Sequence, residues 1–156
     1  LFMICTFANA LVVRAEHPAK SLADLVAMAR AGPGTLRYGS AAPGSAGHLT
    51  GELLRQQAAI DIVHVPYKGA APAMADLLGG HIDALFDGLP TAMHQHTAGR
   101  VRVLAVTSAR RNPRLPDVPT LDEVAPGTVG IGWFGVSAPA RTPPEVLARI
   151  EQDGLH

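Results

Sequence analysis

Hydrophobic and polar positions along the chain change period repeatedly, and each change marks an element. The stretch from Leu1 to Val13 is apolar apart from Thr6 and Asn9. It is too short to cross a bilayer as a helix, and its β-branched and aromatic content predicts one or two buried strands. Ser21 then suits a helix cap, with Asp24 three residues on, where the helix dipole favours an acid. Leu22, Leu25, Val26 and Ala29 share one face, and Gly32-Pro33-Gly34 stops the helix. A short strand over 36–38 runs into a glycine-rich turn over 39–45. The helix that follows from Ser45 to about Ala59 places Leu49, Leu53 and Leu54 on its inner side. Residues 60–65 predict a strand halted by Pro66.

The same alternation continues to the end. A helix over 71–78 closes at Gly79-Gly80, a strand covers 82–86, and Pro90 sits in the first turn of a helix ending at Gly99. Residues 101–106 are almost continuously apolar, as in a strand covered on both faces. A proline-punctuated loop over 112–119 leads to a short helix over 120–124, a strand over 132–137 and a helix starting at Thr142-Pro143-Pro144-Glu145. Strands alternating with helices indicate βαβ units: an α/β fold with a mainly parallel sheet flanked by helices.

Composition narrows the function classes. The 13 lysines and arginines balance 13 aspartates and glutamates in 156 residues, so no basic surplus is available for nucleic acid. With 47% apolar and 17% charged residues the chain can bury a core. The single Cys5 can form neither an internal disulfide nor a zinc site. The abrupt apolar start without an initiator methionine reads as a piece of something longer.

In open α/β sheets ligands sit beyond the carboxyl ends of strands, where loops meet helix starts. Three such junctions carry chemistry here. In Gly39-Ser40-Ala41-Ala42-Pro43-Gly44-Ser45-Ala46-Gly47-His48, glycines allow close backbone approach and a helix start favours an anion. The same residues also describe a tight turn with Ser45 as cap. In Val65-Pro66-Tyr67-Lys68-Gly69, Tyr67 offers an aromatic wall and Lys68 either a ligand contact or a solvated charge. Asp87, after a strand, is either a ligand contact or a helix cap.

Two near-misses exclude other chemistry. Gly39 and Gly44 have P-loop spacing, but Ser45-Ala46 stands where Lys-Ser/Thr is required. Pro43-Gly44-Ser45-Ala46-Gly47 lacks the first glycine of a nucleophile elbow. His94 and His96 lie two apart on a helix and point to different faces, and Asp61, Asp83 and Asp87 are scattered. Neither a metal set nor a catalytic constellation emerges, and no cofactor is expected.

The ordered motifs resemble a known family. They are Tyr38-Gly39-Ser40 through Gly44-Ser45-Ala46-Gly47-His48-Leu49; Val65-Pro66-Tyr67-Lys68-Gly69 with Asp76-Leu77-Leu78-Gly79-Gly80; Asp83 to Asp87 with Leu89-Pro90; Gly99-Arg100-Val101-Arg102-Val103-Leu104-Ala105-Val106-Thr107; Leu115-Pro116-Asp117-Val118-Pro119-Thr120; and Trp133-Phe134-Gly135 with Ala138-Pro139 and Thr142-Pro143. This series, covering nearly the whole chain, resembles the extracytoplasmic solute-binding receptors of tripartite tricarboxylate transporters, the Bug proteins. The resemblance implies a periplasmic binding protein of two α/β lobes, and no enzyme. Its ligand would be a small organic acid or amino acid, its partners the membrane transporter subunits. By position, residues 39–48 would form this lobe's jaw, with Gly39, Ser40, Ala41, Gly44, Ser45, Ala46, His48, Tyr67, Lys68, Gly69 and Asp87 at or beside the ligand.

The family's signal peptide and first glycine-rich jaw are not matched, and Gly88 stands where asparagine or serine often follows the strand aspartate. The implied division puts the end of a first lobe and a hinge strand at 1–15, the second lobe at 16–131, and the returning hinge strand and a first-lobe helix at 132–156. Two other expectations compete with the receptor: a small α/β enzyme using Ser45 or His48 on an acidic metabolite, and a truncated remnant that self-associates through exposed strands.

Overall fold

A computed structural model describes residues 3–154, which divide into two compact units. The larger spans 8–132. The smaller combines the chain up to Phe7 with the segment from Trp133 onward.

In chain order the larger unit takes most of β1 (Met3–Arg14), then α1 (Leu22–Ala31), β2 (Arg37–Ser40), α2 (Ala46–Gln57), β3 (Val63–Pro66), α3 (Ala70–Gly79), β4 (Ala84–Gly88), α4 (Leu89–Thr97), β5 (Val101–Val106) and α5 (Leu121–Val124). The strand order is β3-β2-β4-β1-β5. β2 pairs in parallel with both β3 and β4, while β1 runs antiparallel between β4 and β5. Four strands therefore point one way, giving the mainly parallel sheet expected, with one strand reversed between β4 and β5.

The centre of β1 is apolar on both faces because it is covered on both. Leu11 and Val13 join Leu22, Leu25, Tyr38, Leu54, Phe86 and Leu104 on the α1/α2 side. Ala10 and Val12 join Met74, Leu77, Leu85, Leu89, Ala92 and Val106 on the α3/α4 side. Burial begins only at Asn9, however. Met3 to Thr6 are exposed, so the expectation that the whole opening stretch is buried holds for its second half alone.

Local signals fix the helix starts. Ser21 accepts from the Asp24 N–H while the Asp24 carboxylate accepts from the Ser21 N–H, and Thr120 and Glu123 repeat that reciprocal cap on α5. The buried face of α1 is the expected Leu22, Leu25, Val26 and Ala29.

Helix α2 departs from expectation. Leu49 is 59% exposed and Leu53 is half-buried, while the inner face is Gly47, Thr50, Gly51 and Leu54. The reason is steric. A Cβ on Gly51 would fall on the Tyr38 ring, and one on Gly47 would lie 2.9 Å from the Phe86 Cβ. The helix turns its smallest residues inward to reach the sheet, so of the three leucines expected inside only Leu54 faces the core. Two strand ends also move. β3 starts only at Val63, with Ile60 and Ile62 buried ahead of it, and β4 continues through Asp87 to Gly88.

In the smaller unit, β6 (Ile131–Gly135) pairs with β1 and Phe7 stacks on Phe134 with ring centroids 4.8 Å apart. Helix α6 (Pro144–Gly154) buries none of its described residues.

The packing of α2 predicts the sign of one substitution. At an exposed site Gly→Ala stabilises a helix by about 1 kcal/mol. Gly51→Ala should instead destabilise the protein by about 1–3 kcal/mol, because the methyl overpacks against Tyr38. Urea unfolding reads this directly, and a stabilised G51A variant would refute the close approach.

Candidate functional site

β2, β3 and β4 are adjacent and point the same way, so their carboxyl ends share one edge of the sheet. α2, α3 and α4 all start from that edge. Each helix start leaves backbone N–H groups without intrahelical partners and carries the positive end of the helix dipole. Ser45 caps α2 by accepting from the His48 N–H at 3.3 Å. Gly69 and Gly88, ahead of α3 and α4, supply no side-chain cap. The edge is therefore a row of donors able to meet an anion without a full cation.

Two backbone hydrogen bonds join the first two expected loops. Tyr67 N donates to Ser40 O at 3.1 Å, and Gly69 N to Ala41 O at 2.8 Å. Gly44 (φ +76°) and Gly69 (φ +114°) adopt left-handed or wider positive angles, and nothing lies within 4 Å of where a Cβ would stand on either. Their glycine identity thus follows from backbone conformation. Gly39 is different: a Cβ there would lie 2.6 Å from Ile82 Cδ1, so its smallness admits core packing.

Of the remaining expected residues, Ala41, Ser45, Ala46, His48 and Tyr67 are half-buried, Lys68 is exposed and Ser40 is fully buried. The Tyr67 hydroxyl donates to Asp76 Oδ2 at 2.7 Å, and burial together with that carboxylate pushes its pKa up to about 12. Tyr67 is thus a fixed wall with its hydroxyl already engaged.

The serines are engaged too. Ser40 Oγ lies 2.8 Å from His64 Nε2 and 3.2 Å from Ala42 O, and Ser45 Oγ donates to Ser40 Oγ at 3.4 Å. His64 was not singled out from the sequence. It pairs with Tyr38 in the β2–β3 register, and that parity was the available signal. The Ser40–His64 contact has the length of a nucleophile–base pair, but a wholly buried hydroxyl cannot attack a substrate. Ser45 and His48 meet through the His48 backbone and form no acid–base pair.

Asp87 is 4% exposed, and its Oδ2 has no hydrogen-bond partner. Burial raises its pKa, opposed only by the Gly88 N–H. Alternation along β4 puts it on the α3/α4 side with Leu85, opposite Ala10 of β1. The set therefore separates into a loop cluster over 40–48 joined to 67–69, and a buried carboxyl one strand away. Among the described residues no group of three or more histidine, cysteine or acidic side chains could hold a metal ion.

The family model described as "Tripartite tricarboxylate transporter family receptor" matches residues 1–154. Among solved structures, Rpa4515 of R. palustris, solved with adipate, is 40% identical with a TM-score of 0.88, covering 96% of this chain and 50% of that one. The periplasmic binding protein BugD is 34% identical with a TM-score of 0.86, covering 96% and 50%. MatC (Rpa3494) from Rhodopseudomonas palustris, with bound malate, is 28% identical with a TM-score of 0.86, covering 96% and 51%. The chain spans about half the length of these proteins and of the first curated relatives it matches.

The buried Asp87, with one oxygen unpartnered, predicts a pH-dependent stability difference. Its folded pKa is raised above the ordinary 3.8, so the stability it contributes is complete below that value and is lost as pH rises through the folded pKa. Asp87→Asn removes the titration. The variant should gain on the parent as pH climbs above 3.8, reaching about 1–3 kcal/mol at pH 7. Urea midpoints at pH 4 and pH 7 measure this, and an equal difference at both would contradict a buried, unpaired carboxyl.

Proposed function

Because the chain belongs to the tripartite tricarboxylate transporter receptor family, we propose that its larger unit is a ligand-capturing lobe for small organic acids in a periplasmic receptor. The observation that carries this reading is the shared edge where three helices start, two of them without side-chain caps. Such an edge binds carboxylate oxygens through oriented N–H groups, and the formal charge of zero is no obstacle to it.

In this assignment Ala41 and Ala46 present backbone N–H groups to one carboxylate, while Gly44, Ser45 and His48, whose N–H groups are engaged within the loop, hold it in shape. Gly69 lets the neighbouring backbone approach, Tyr67 forms an apolar wall, and Lys68 supplies long-range attraction. Gly39 and Ser40 hold the loop from beneath, and Asp87, buried at the end of β4, lies beside the site without an exposed face towards the ligand. Adipate in Rpa4515 and malate in MatC favour a small dicarboxylate over a monoacid. An amino acid with an acidic side chain offers the same two carboxylates.

Residues 16–131 are assigned to this lobe, with 1–15 and 132–156 as crossing strands and a helix of a first lobe. The transporter's membrane subunits are the natural recipients of the captured acid. None of the chain's own described helices is long and apolar enough to cross a membrane. Self-association is a further partner proposal, supported by the exposed Met3, Ile4, Trp133 and Phe134 of the smaller unit.

Calorimetry with adipate, malate, glutamate and the neutral diamide of adipate tests this. The acids should bind and the diamide should not. This chain should bind at roughly millimolar strength, because it presents one side of the ligand and leaves the other in water. No response to any acid by the folded protein would overturn the carboxylate reading, and micromolar affinity in this chain would overturn the one-sided assignment.

A further inference from the structure

Two imidazoles fasten the loop that starts α2. His48 Nδ1 accepts the Gly44 N–H at 2.9 Å, so that nitrogen carries a lone pair and the proton of the neutral ring sits on Nε2. His64 Nε2 meets Ser40 Oγ at 2.8 Å, and Ser45 Oγ donates onto the same oxygen. The two rings stack on one another, centroids 4.1 Å apart and planes 28° apart. The loop is thus held at its start by the His64 ring and at its glycine by the His48 ring.

We infer that His48 and His64 are positioning residues for the anion-binding loop, and that the loop keeps its receptive shape only while the His48 ring is neutral. The inference rests on the carboxylate reading of that loop. A proton on His48 Nδ1 would set one N–H against another at Gly44 and end that hydrogen bond. A charge on His48 would also oppose one on the stacked His64.

The charged and titratable neighbours modify this without reversing it. On α2, Glu52 lies one turn beyond His48, but its carboxylate is held by the Tyr38 hydroxyl at 2.8 Å and by Arg55 Nε at 2.8 Å. Tyr38 of β2 lies against His64, with ring centroids 5.0 Å apart. On β4, Phe86 packs edge-on to Tyr38, and Asp87 lies on the opposite face of the sheet. Burial lowers the His64 pKa first and the neighbouring His48 lowers it further, while Glu52 opposes them with the smallest effect.

The test is an NMR titration of the full chain from pH 8 to pH 5, following the two imidazole rings and the Gly44 amide, with and without adipate. In the parent protein the Gly44 amide should move in step with the His48 ring. Adipate affinity should fall about fivefold, the size of one lost hydrogen bond. His48→Gln keeps an acceptor for Gly44 but cannot titrate. In H48Q the Gly44 amide should stay fixed and the extra pH loss of affinity should vanish, the ligand's own protonation affecting both proteins alike. The His64 titration should rise in that variant, because the neighbouring His48 no longer lowers it. A Gly44 amide that ignores the His48 titration, or affinity that strengthens on acidification, would overturn the positioning role. Amides that ignore adipate and malate at pH 8 would overturn the carboxylate reading itself, and with it the loop's part in capture.

Discussion

The close approach of α2 to the sheet governs the rest of the site. Gly47 and Gly51 leave no side chain between the helix and the Phe86 and Tyr38 beneath it. That contact fixes the rotation of α2 about its own axis. The rotation turns Leu49 outward, sets Ser45 over Ser40, and brings the His48 ring onto His64. Larger residues at either glycine would lift the helix, and the loop ahead of it would lose its hydrogen-bonded frame. The shape of the loop over 40–48 is therefore a consequence of core packing on the α1/α2 side.

A second layer of constraint comes from β1. It enters the sheet reversed between β4 and β5, and its central residues fill both cores. With β1 in that place, β2, β3 and β4 stay contiguous and parallel, and their carboxyl ends form one uninterrupted edge. Helices that start there align their dipoles in the same sense. The proposed preference for an anion thus follows from topology, which is why a chain with balanced charges can carry it.

Much of the fold was legible in the sequence because the signals were local. Ser21 with Asp24, Thr120 with Glu123, and the strand at 101–106 all appear where expected, since caps and apolar runs act within a few residues. The inner face of α2 was not legible from apolar periodicity, because a helix packed through glycines carries some of its largest apolar side chains, Leu49 among them, on its outer side. His64 was missed for a related reason. Its role depends on register with Tyr38 and on stacking with a residue sixteen positions earlier, and neither is a short-range pattern. Asp87 was expected as either a ligand contact or a cap; its almost complete burial and unpartnered oxygen follow from β4 extending past Phe86.

The central claim is that the carboxyl edge of the parallel strands is where a small dicarboxylate binds. Mapping backbone amide shifts as malate is added to the folded chain tests it most directly. The largest, saturable shifts should fall on Ala46, Gly47, Ala70, Ala71 and Leu89, the first residues of α2, α3 and α4. Shifts concentrated on the opposite edge of the sheet, or spread evenly over the surface, would contradict it.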